Sequence, residues 1–161
     1  MDTVQEAQLA RLVFTNRWAA LATVNDGKPL SSYVAYVADG EGALLVHISR
    51  LAKHTTHLLA NPQGSLSISE VDTGDGDPQT LARVMLDGCV TLITRNTDAY
   101  QAARDQYVKV LPSALQRFSF ADFLLFKFRI DEVKFVAGFG QSFTLSAETL
   151  WRVGAENRHS S

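Results

Sequence analysis

Arg50, Lys53, His54 and His57 stand at i, i+3, i+4 and i+7 in a stretch that runs from Ser49 to Pro62. In a helix these four basic or titratable side chains share one face, with Leu51, Leu58 and Leu59 on the opposite side. Residues 43–48, just upstream, form an apolar run that reads as a buried strand. Ser49 is then placed as N-cap. A helix start presents free N–H groups and the positive end of the helix dipole, so cations beside it would complete a site for a phosphate. The bland alternative is a solvated helix face. Against it, the face is all basic with no acidic partner four residues on, and two histidines are unusual choices for solubility. Ser31, Ser32 and Tyr33 lie on the strand expected to pair with 43–48, which would bring their hydroxyls to the same region.

Other chemistries find less support in the sequence. His54 and His57 are spaced to share a metal, but no Cys, Asp or Glu nearby completes a zinc set. Asp72, Asp75 and Asp77 suggest a calcium loop that lacks the glutamate at its twelfth position. Cys89 falls within a strand pattern, where a small buried thiol is the default. Neither a Gly-x-Ser-x-Gly elbow, a P-loop nor a Gly-x-Gly-x-x-Gly after a strand is present. No metal is expected.

Composition narrows the class. The 161 residues are 46% hydrophobic and 20% charged, ordinary for one globular domain over 1–161. A net charge of −2 argues against non-specific nucleic-acid binding. The single cysteine permits no internal disulfide and favours a cytoplasmic setting. The N-terminus lacks the basic flank and apolar core of a secretory signal, and no run approaches the roughly 20 apolar residues of a membrane span, so no membrane association is expected.

The elements that would position the basic face follow from periodicity. Residues 4–14 read as a helix; 17–24, 30–38 and 43–48 read as an antiparallel meander joined by Gly-containing turns. The basic helix ends at Asn61-Pro62. Residues 65–71 and 81–94 read as strands, the second bent at Gly88, with a polar loop over 72–78 between them. Helices are expected at 97–110 and, opened by Pro112, at 112–117. Strands follow at 122–130 and 133–137, a break at Gly138-Phe139-Gly140, and a last short helix over 145–153. Residues 154–161 are expected to be an unordered tail. Together these predict a mainly β protein with flanking helices: a six- to seven-stranded antiparallel split barrel with its core over 17–153.

In this order the motifs resemble the flavin-binding split-barrel family of the pyridoxamine 5′-phosphate oxidase type, nearest its haem-utilisation (HugZ-like) branch. The resemblance is carried by residues 21–24 with 27–29, Ser32-Tyr33, 48–55, Asn61-Pro62, 83–88, 122–126 and 135–141. It implies a homodimer with FMN at the subunit interface, acting as an oxidoreductase on a small-molecule substrate. Lys53 and His54 match the basic pair that holds the flavin phosphate. Ser32 and Tyr33 match positions approaching the same group. His47, Ile48 and Ser49 match the strand end lining the ring edge, while Arg83 and Gln141 match further cofactor-site positions. Arg50 and His57 fall to peripheral or solvent-facing roles. The vitamin B6 oxidases carry an arginine where this chain has Ser32, and a C-terminal Arg-x-His motif absent here, which points away from pyridoxamine phosphate as substrate. The alternative implied by the same resemblance is a haem-binding or haem-degrading protein using the same dimer cleft. His159 would then be the C-terminal axial ligand.

Overall fold

Among the described residues, the alternation and turn signals above produce seven antiparallel strands and four α-helices. The structure, a computed structural model, describes residues 1–157. In chain order the elements are α1 (Thr3–Phe14), β1 (Trp18–Asn25), β2 (Lys28–Ala38), β3 (Ala43–Ser49), α2 (Lys53–Ala60), β4 (Gln63–Ser69), β5 (Arg83–Leu92), α3 (Asp98–Val110), β6 (Phe123–Gly138), β7 (Gln141–Leu145) and α4 (Ala147–Asn157). A 3-10 turn at Pro78–Thr80 precedes β5, and a longer 3-10 segment at Pro112–Ser119 follows α3.

The sheet order is β3-β2-β1-β4-β5-β6-β7, and β3 also pairs with β6. Six strands therefore close into a barrel, with β7 left as an extension on β6. The length of β6 makes this possible. One of its edges runs along β5, and the other serves β3 up to Arg129 and then β7 from Val133. A bulge opposite Asp87 and Gly88, with Asp131 as the extra residue, bends β6 where it changes partner.

Inward-facing side chains such as Leu21, Tyr36, Leu44, Leu66, Leu86 and Phe128 fill the barrel. Each fully buried side chain of this size contributes about 1.5–3 kcal/mol. Leu9, Leu12 and Val13 of α1, with Leu150 of α4, join this core, as does Leu58 of α2. A second cluster lies outside the barrel wall, where Tyr107, Leu111 and Phe118 of α3 and the 3-10 segment cover Val37, Leu45 and Leu125. Strand β3 is thus buried on both faces, which explains its unbroken apolar run.

Several expected boundaries change. The strands expected at 122–130 and 133–137 are one continuous strand, because the charged Asp131 and Glu132 lie on the edge-switching segment rather than in a turn. The break at Gly138-Phe139-Gly140 is a hairpin turn with both glycines at positive φ, and β7, not foreseen, follows it. Helix α4 begins at Ala147 and continues through Asn157, with Val153 and Gly154 buried, so residues 154–157 are ordered and not tail. The remainder of the expected tail lies outside the described residues.

Candidate functional site

The register of β2 against β3 creates an opening. The two strands pair only from Tyr36↔Val46 to Ala38↔Leu44. Beyond Val46, β3 continues against β6 through Ser49↔Phe123, while β2 continues against β1 through Tyr33↔Ala20 and Ser32↔Leu21. His47 to Ser49 and Ser32 to Ala35 therefore face each other across a split in the wall, each with one backbone edge outside the β2–β3 ladder. Helix α2 starts four residues beyond Ser49, at Lys53.

Ser49 is not the N-cap of α2. Ala52 holds that position and supplies no side-chain cap. Ser49 Oγ instead donates to Asp122 Oδ2 at 2.5 Å and accepts from the Leu51 amide at 3.1 Å. Its carbonyl accepts from Thr55 Oγ1 at 2.6 Å. Ser49 thus ties the β3–α2 turn to β6, and the carboxylate of Asp122 beside it disfavours a phosphate on its hydroxyl. The start of α2 lacks both a cap and an acidic residue in its first turn, so its orphan amides remain available to an anion. Lys53 is exposed there and His54 is half-buried. Burial, and secondarily the charge of His57, hold the His54 pKa below its ordinary value, so its imidazole is neutral near pH 7.

The expected single basic face does not form. Arg50 lies in the turn before α2, and its exposed side chain is separate from the helix. His57 is 6% exposed, not solvent-facing, and its Nδ1 lies 3.1 Å from Thr23 Oγ1 inside the barrel end. Of the leucines assigned to the apolar side, only Leu58 is buried; Leu51 is 86% exposed and Leu59 46%. The buried stripe of the helix is instead Thr55, His57 and Leu58.

The other expected contacts are scattered. Ser32 and Tyr33 are neighbours on a strand and point to opposite sides, so they do not approach one group together. Ser32 is half-buried, with Oγ 3.5 Å from the Leu21 carbonyl, while Tyr33 lies outward and stacks on Trp18 at 5.6 Å. The His47 side chain points away from the split, into the second cluster, stacked on Phe118 at 3.8 Å. Ile48 is buried in the barrel core. Only the backbone of these two residues can line the split. Arg83 begins β5, separated from β2 by β1 and β4, and donates to the carbonyls of Gln79 and Leu81. Gln141 shares a shallow groove with Arg83 and accepts from Gln5 Nε2 at 3.0 Å. Neither residue meets Lys53 within one chain. Among the described residues no group of three or more His, Cys, Asp or Glu gathers to hold a metal.

The outward face of β1, β2, β4 and β5 is a feature that sequence reasoning missed. Ala20, Ala22, Ser31, Ser65 and Ser67 alternate there with inward core residues, making a flat sheet surface of small side chains. Trp18 and Tyr33 stand on it, about 60% exposed each. Periodicity in 17–24 and 65–71 carried this signal, but small residues register weakly in it.

Comparison with known proteins places this geometry in a group. A family model described as "CREG, beta-barrel" matches residues 2–151. The chain is 30% identical over 132 residues to the Vibrio cholerae heme oxygenase HutZ, covering 81% of this chain and 74% of that protein. It is 32% identical over 123 residues to the Arabidopsis thaliana chloroplastic non-canonical heme oxygenase HOZ, covering 76% of this chain but only 36% of that protein. Among solved structures, a heme binding protein from Mycobacterium smegmatis superposes with a TM-score of 0.78 at 26% identity, over 94% of this chain and 61% of the other. A putative pyridoxamine 5′-phosphate oxidase from Listeria innocua superposes with a TM-score of 0.61 at 16% identity, over 84% of this chain and 99% of the other, a likeness of fold alone. The split-barrel architecture expected from the sequence is the one these relatives share.

Proposed function

The chain belongs to the CREG β-barrel family, and from that premise we propose that it binds haem and acts in haem degradation or utilisation. The observation that carries this reading is the 30% identity to a heme oxygenase across most of both chains. The flavin oxidoreductase reading, first choice from the sequence, gives way, because the flavin-type neighbours are distant and support the fold alone.

The split between β2 and β3 suits such a ligand. A haem has two carboxylates, and the uncapped start of α2 with the exposed Lys53 offers them backbone donors and a cation. The buried His47 and His57 are held by packing, so the half-buried, neutral His54 and the undescribed His159 are the candidate iron ligands. Haem, once bound, supplies the redox-active iron. The chain's own part is to orient it, exclude water and set its axial ligand.

A second copy of the chain completes the cleft in this reading. The flat face of β1, β2, β4 and β5, with Trp18 and Tyr33 on it, is suited to a self-complementary two-fold contact. No helix of the described residues is long and apolar enough to cross a membrane. A cytoplasmic setting goes with this reading on the strength of the free Cys89.

Haemin titration of the purified protein tests the proposal. A saturable Soret band is expected, abolished or shifted by His159→Ala or His54→Ala, whichever is the ligand. Absence of a band above that of free haemin would refute it. The second reading, FMN on the same α2 start, rests on the suitability of an uncapped N-terminus beside Lys53 for a phosphate dianion. It predicts an absorbance band at about 450 nm from the flavin and quenching of flavin fluorescence on titration.

A further inference from the structure

The layer formed by α3 and the 3-10 segment holds features that the haem reading leaves unused. Two buried side-chain polar atoms there, Arg95 Nε and Tyr100 Oη, have no hydrogen-bond partner among the described residues. Buried polar groups in folded proteins are nearly always paired, so two together call for a ligand or ordered solvent. Between α3 and the 3-10 segment lies a cavity of about 560 Å³, within the range that holds small molecules.

Its walls are of two kinds. Arg95 and Arg104 supply positive charge, and Gln101 and Gln116 supply neutral polar groups. Leu115, 51% exposed, and Phe118 supply apolar surface. Tyr100, 9% exposed, lines the cavity with its hydroxyl unpartnered. The Arg104 guanidinium lies 5.9 Å above the Phe118 ring, and Arg95 lies 6.0 Å above Tyr100. Arg95 is fixed by donating from Nη2 to the carbonyls of Phe120 and Phe123, at 2.6 and 2.9 Å.

Among the described residues no carboxylate lies within 4.0 Å of the Arg95, Arg104 or Arg117 guanidinium, as is also true of Arg17, Arg50 and Arg83, whereas Arg11, Arg129 and Arg152 have such partners. The acidic residues of α3 do not fill this role. Asp105 accepts from Gln101 Nε2 at 2.8 Å, and Asp98 is exposed in the first turn. The positive field reaches inward, since burial first and then Arg117 and Arg95 depress the pKa of His47.

We propose that this cavity binds a small organic oxyanion. Its charged group is held by the Arg104 and Arg95 guanidinium groups, and its apolar body lies against Leu115 and Phe118. Guanidinium recognises carboxylate and phosphate through the same paired donors. Either source of oxyanion therefore fits, and the apolar wall favours an aromatic or branched acid over an inorganic one. The site shares no residue with the α2 start, so it stands independently of the haem reading.

The test follows backbone amide shifts of the full chain during titration with sodium benzoate and, separately, sodium phosphate, each matched in ionic strength by sodium chloride. Saturable shifts are expected at residues 95–101 and 115–119, with millimolar half-saturation, the range of a weak small-ligand site. Saturation by benzoate alone assigns a carboxylate with an apolar body, by phosphate alone a phosphoryl group, and by both a general oxyanion site. Arg104→Gln is expected to weaken binding at least tenfold, while Lys109→Gln, an exposed cation on the same helix, leaves it unchanged. If Arg104→Gln disturbs the fold, Arg104→Lys decides, since it keeps the charge but loses the paired donors and should bind several-fold more weakly. Shifts matched by chloride, shifts centred on residues 50–54, or equal binding by the Arg104 variants would overturn the proposal.

Discussion

Replacing His47 by phenylalanine should remove an acid sensitivity built into the second core cluster. The imidazole is 5% exposed, stacked on Phe118, with Tyr107 and Phe123 beside it and no partner for either nitrogen. Burial, aided by Arg117 and Arg95, lowers its pKa from 6.5 to about 4. Between these values the unfolded chain takes up a proton that the folded protein refuses, so stability falls as pH drops through the window. With those two pKa values, the loss between pH 7 and pH 5 is about 2 kcal/mol. In a domain of this size that corresponds to a melting-temperature drop of roughly 4–8 °C. His54 is shifted in the same direction and adds its own slope, but it is present in both proteins and cancels in the comparison. Urea unfolding of the wild type and of His47→Phe at pH 7 and pH 5 measures the difference. The variant should match or exceed wild-type stability at pH 7, because it removes two unpaired polar atoms and keeps the stacked ring. It should then lose about 2 kcal/mol less on acidification. Parallel stability profiles for the two proteins would refute the reasoning.

Gly88→Ala should fail to fold or lose most of the stability. A β-carbon there would overlap the Arg129 carbonyl oxygen and stand 3.1 Å from Ile130 Cα, backbone atoms that cannot move without opening β5 from β6; soluble expression and circular dichroism would show this. Gly154→Ala places a β-carbon 2.9 Å from Phe14 Cδ2 and nearer still to the ring edge, so overpacking of about 1–3 kcal/mol outweighs the gain of about 1 kcal/mol in helix propensity. Thermal melts of this variant should be lower than wild type, and a rise would count against tight α1–α4 packing. Thr23→Val leaves His57 Nδ1 buried without its partner, which should cost about 1–3 kcal/mol by urea unfolding. Lys53→Gln should weaken haemin binding several-fold while leaving the melting temperature unchanged, because its side chain is exposed; undiminished haemin affinity would remove Lys53 from the site.

Strand alternation and turn residues made most of the architecture legible in the sequence. The meander of β1 to β3 follows from its Gly-containing turns, and α3 from its periodicity. What the sequence hid were features set by long-range pairing. The continuity of β6 through Asp131 and Glu132 depends on the strand changing partners, which no local signal encodes. Strand β7 is five residues long and half-exposed, too short and too polar for its pattern to stand out. Of the residues expected at the site, the structure brings only some together. Lys53 and His54 do sit at the start of α2 beside the split. Ser32 and Tyr33 were paired in sequence, but alternation sends them to opposite sides of the sheet. Arg83 and Gln141 lie at another part of the barrel, and only a second chain could bring them to the cleft.

The different fates of Lys53 and His57 explain why the basic face was misread. Four residues apart on one helix, they should share a face, yet one is exposed and the other is 6% exposed against Thr23. The buried positions Thr55, His57 and Leu58 form one arc of the helix, with Lys53 just outside its edge, and Leu58 joins the main core. The helix is therefore turned so that this arc faces the barrel, and its edge falls between Lys53 and His57. The same setting has a functional consequence. The buried turn anchors α2 through Thr55, His57 and Leu58, and Thr55 also bonds back to the Ser49 carbonyl at the strand end. The amides and cation offered to an anion are thereby fixed relative to the β2–β3 split before any ligand arrives. A site held in this way binds without the ordering cost that a loop-borne site would carry. Loosening the buried turn, as in Thr23→Val, should then weaken haemin binding as well as stability, even though Thr23 lies on β1 and its partner on the helix is the buried His57.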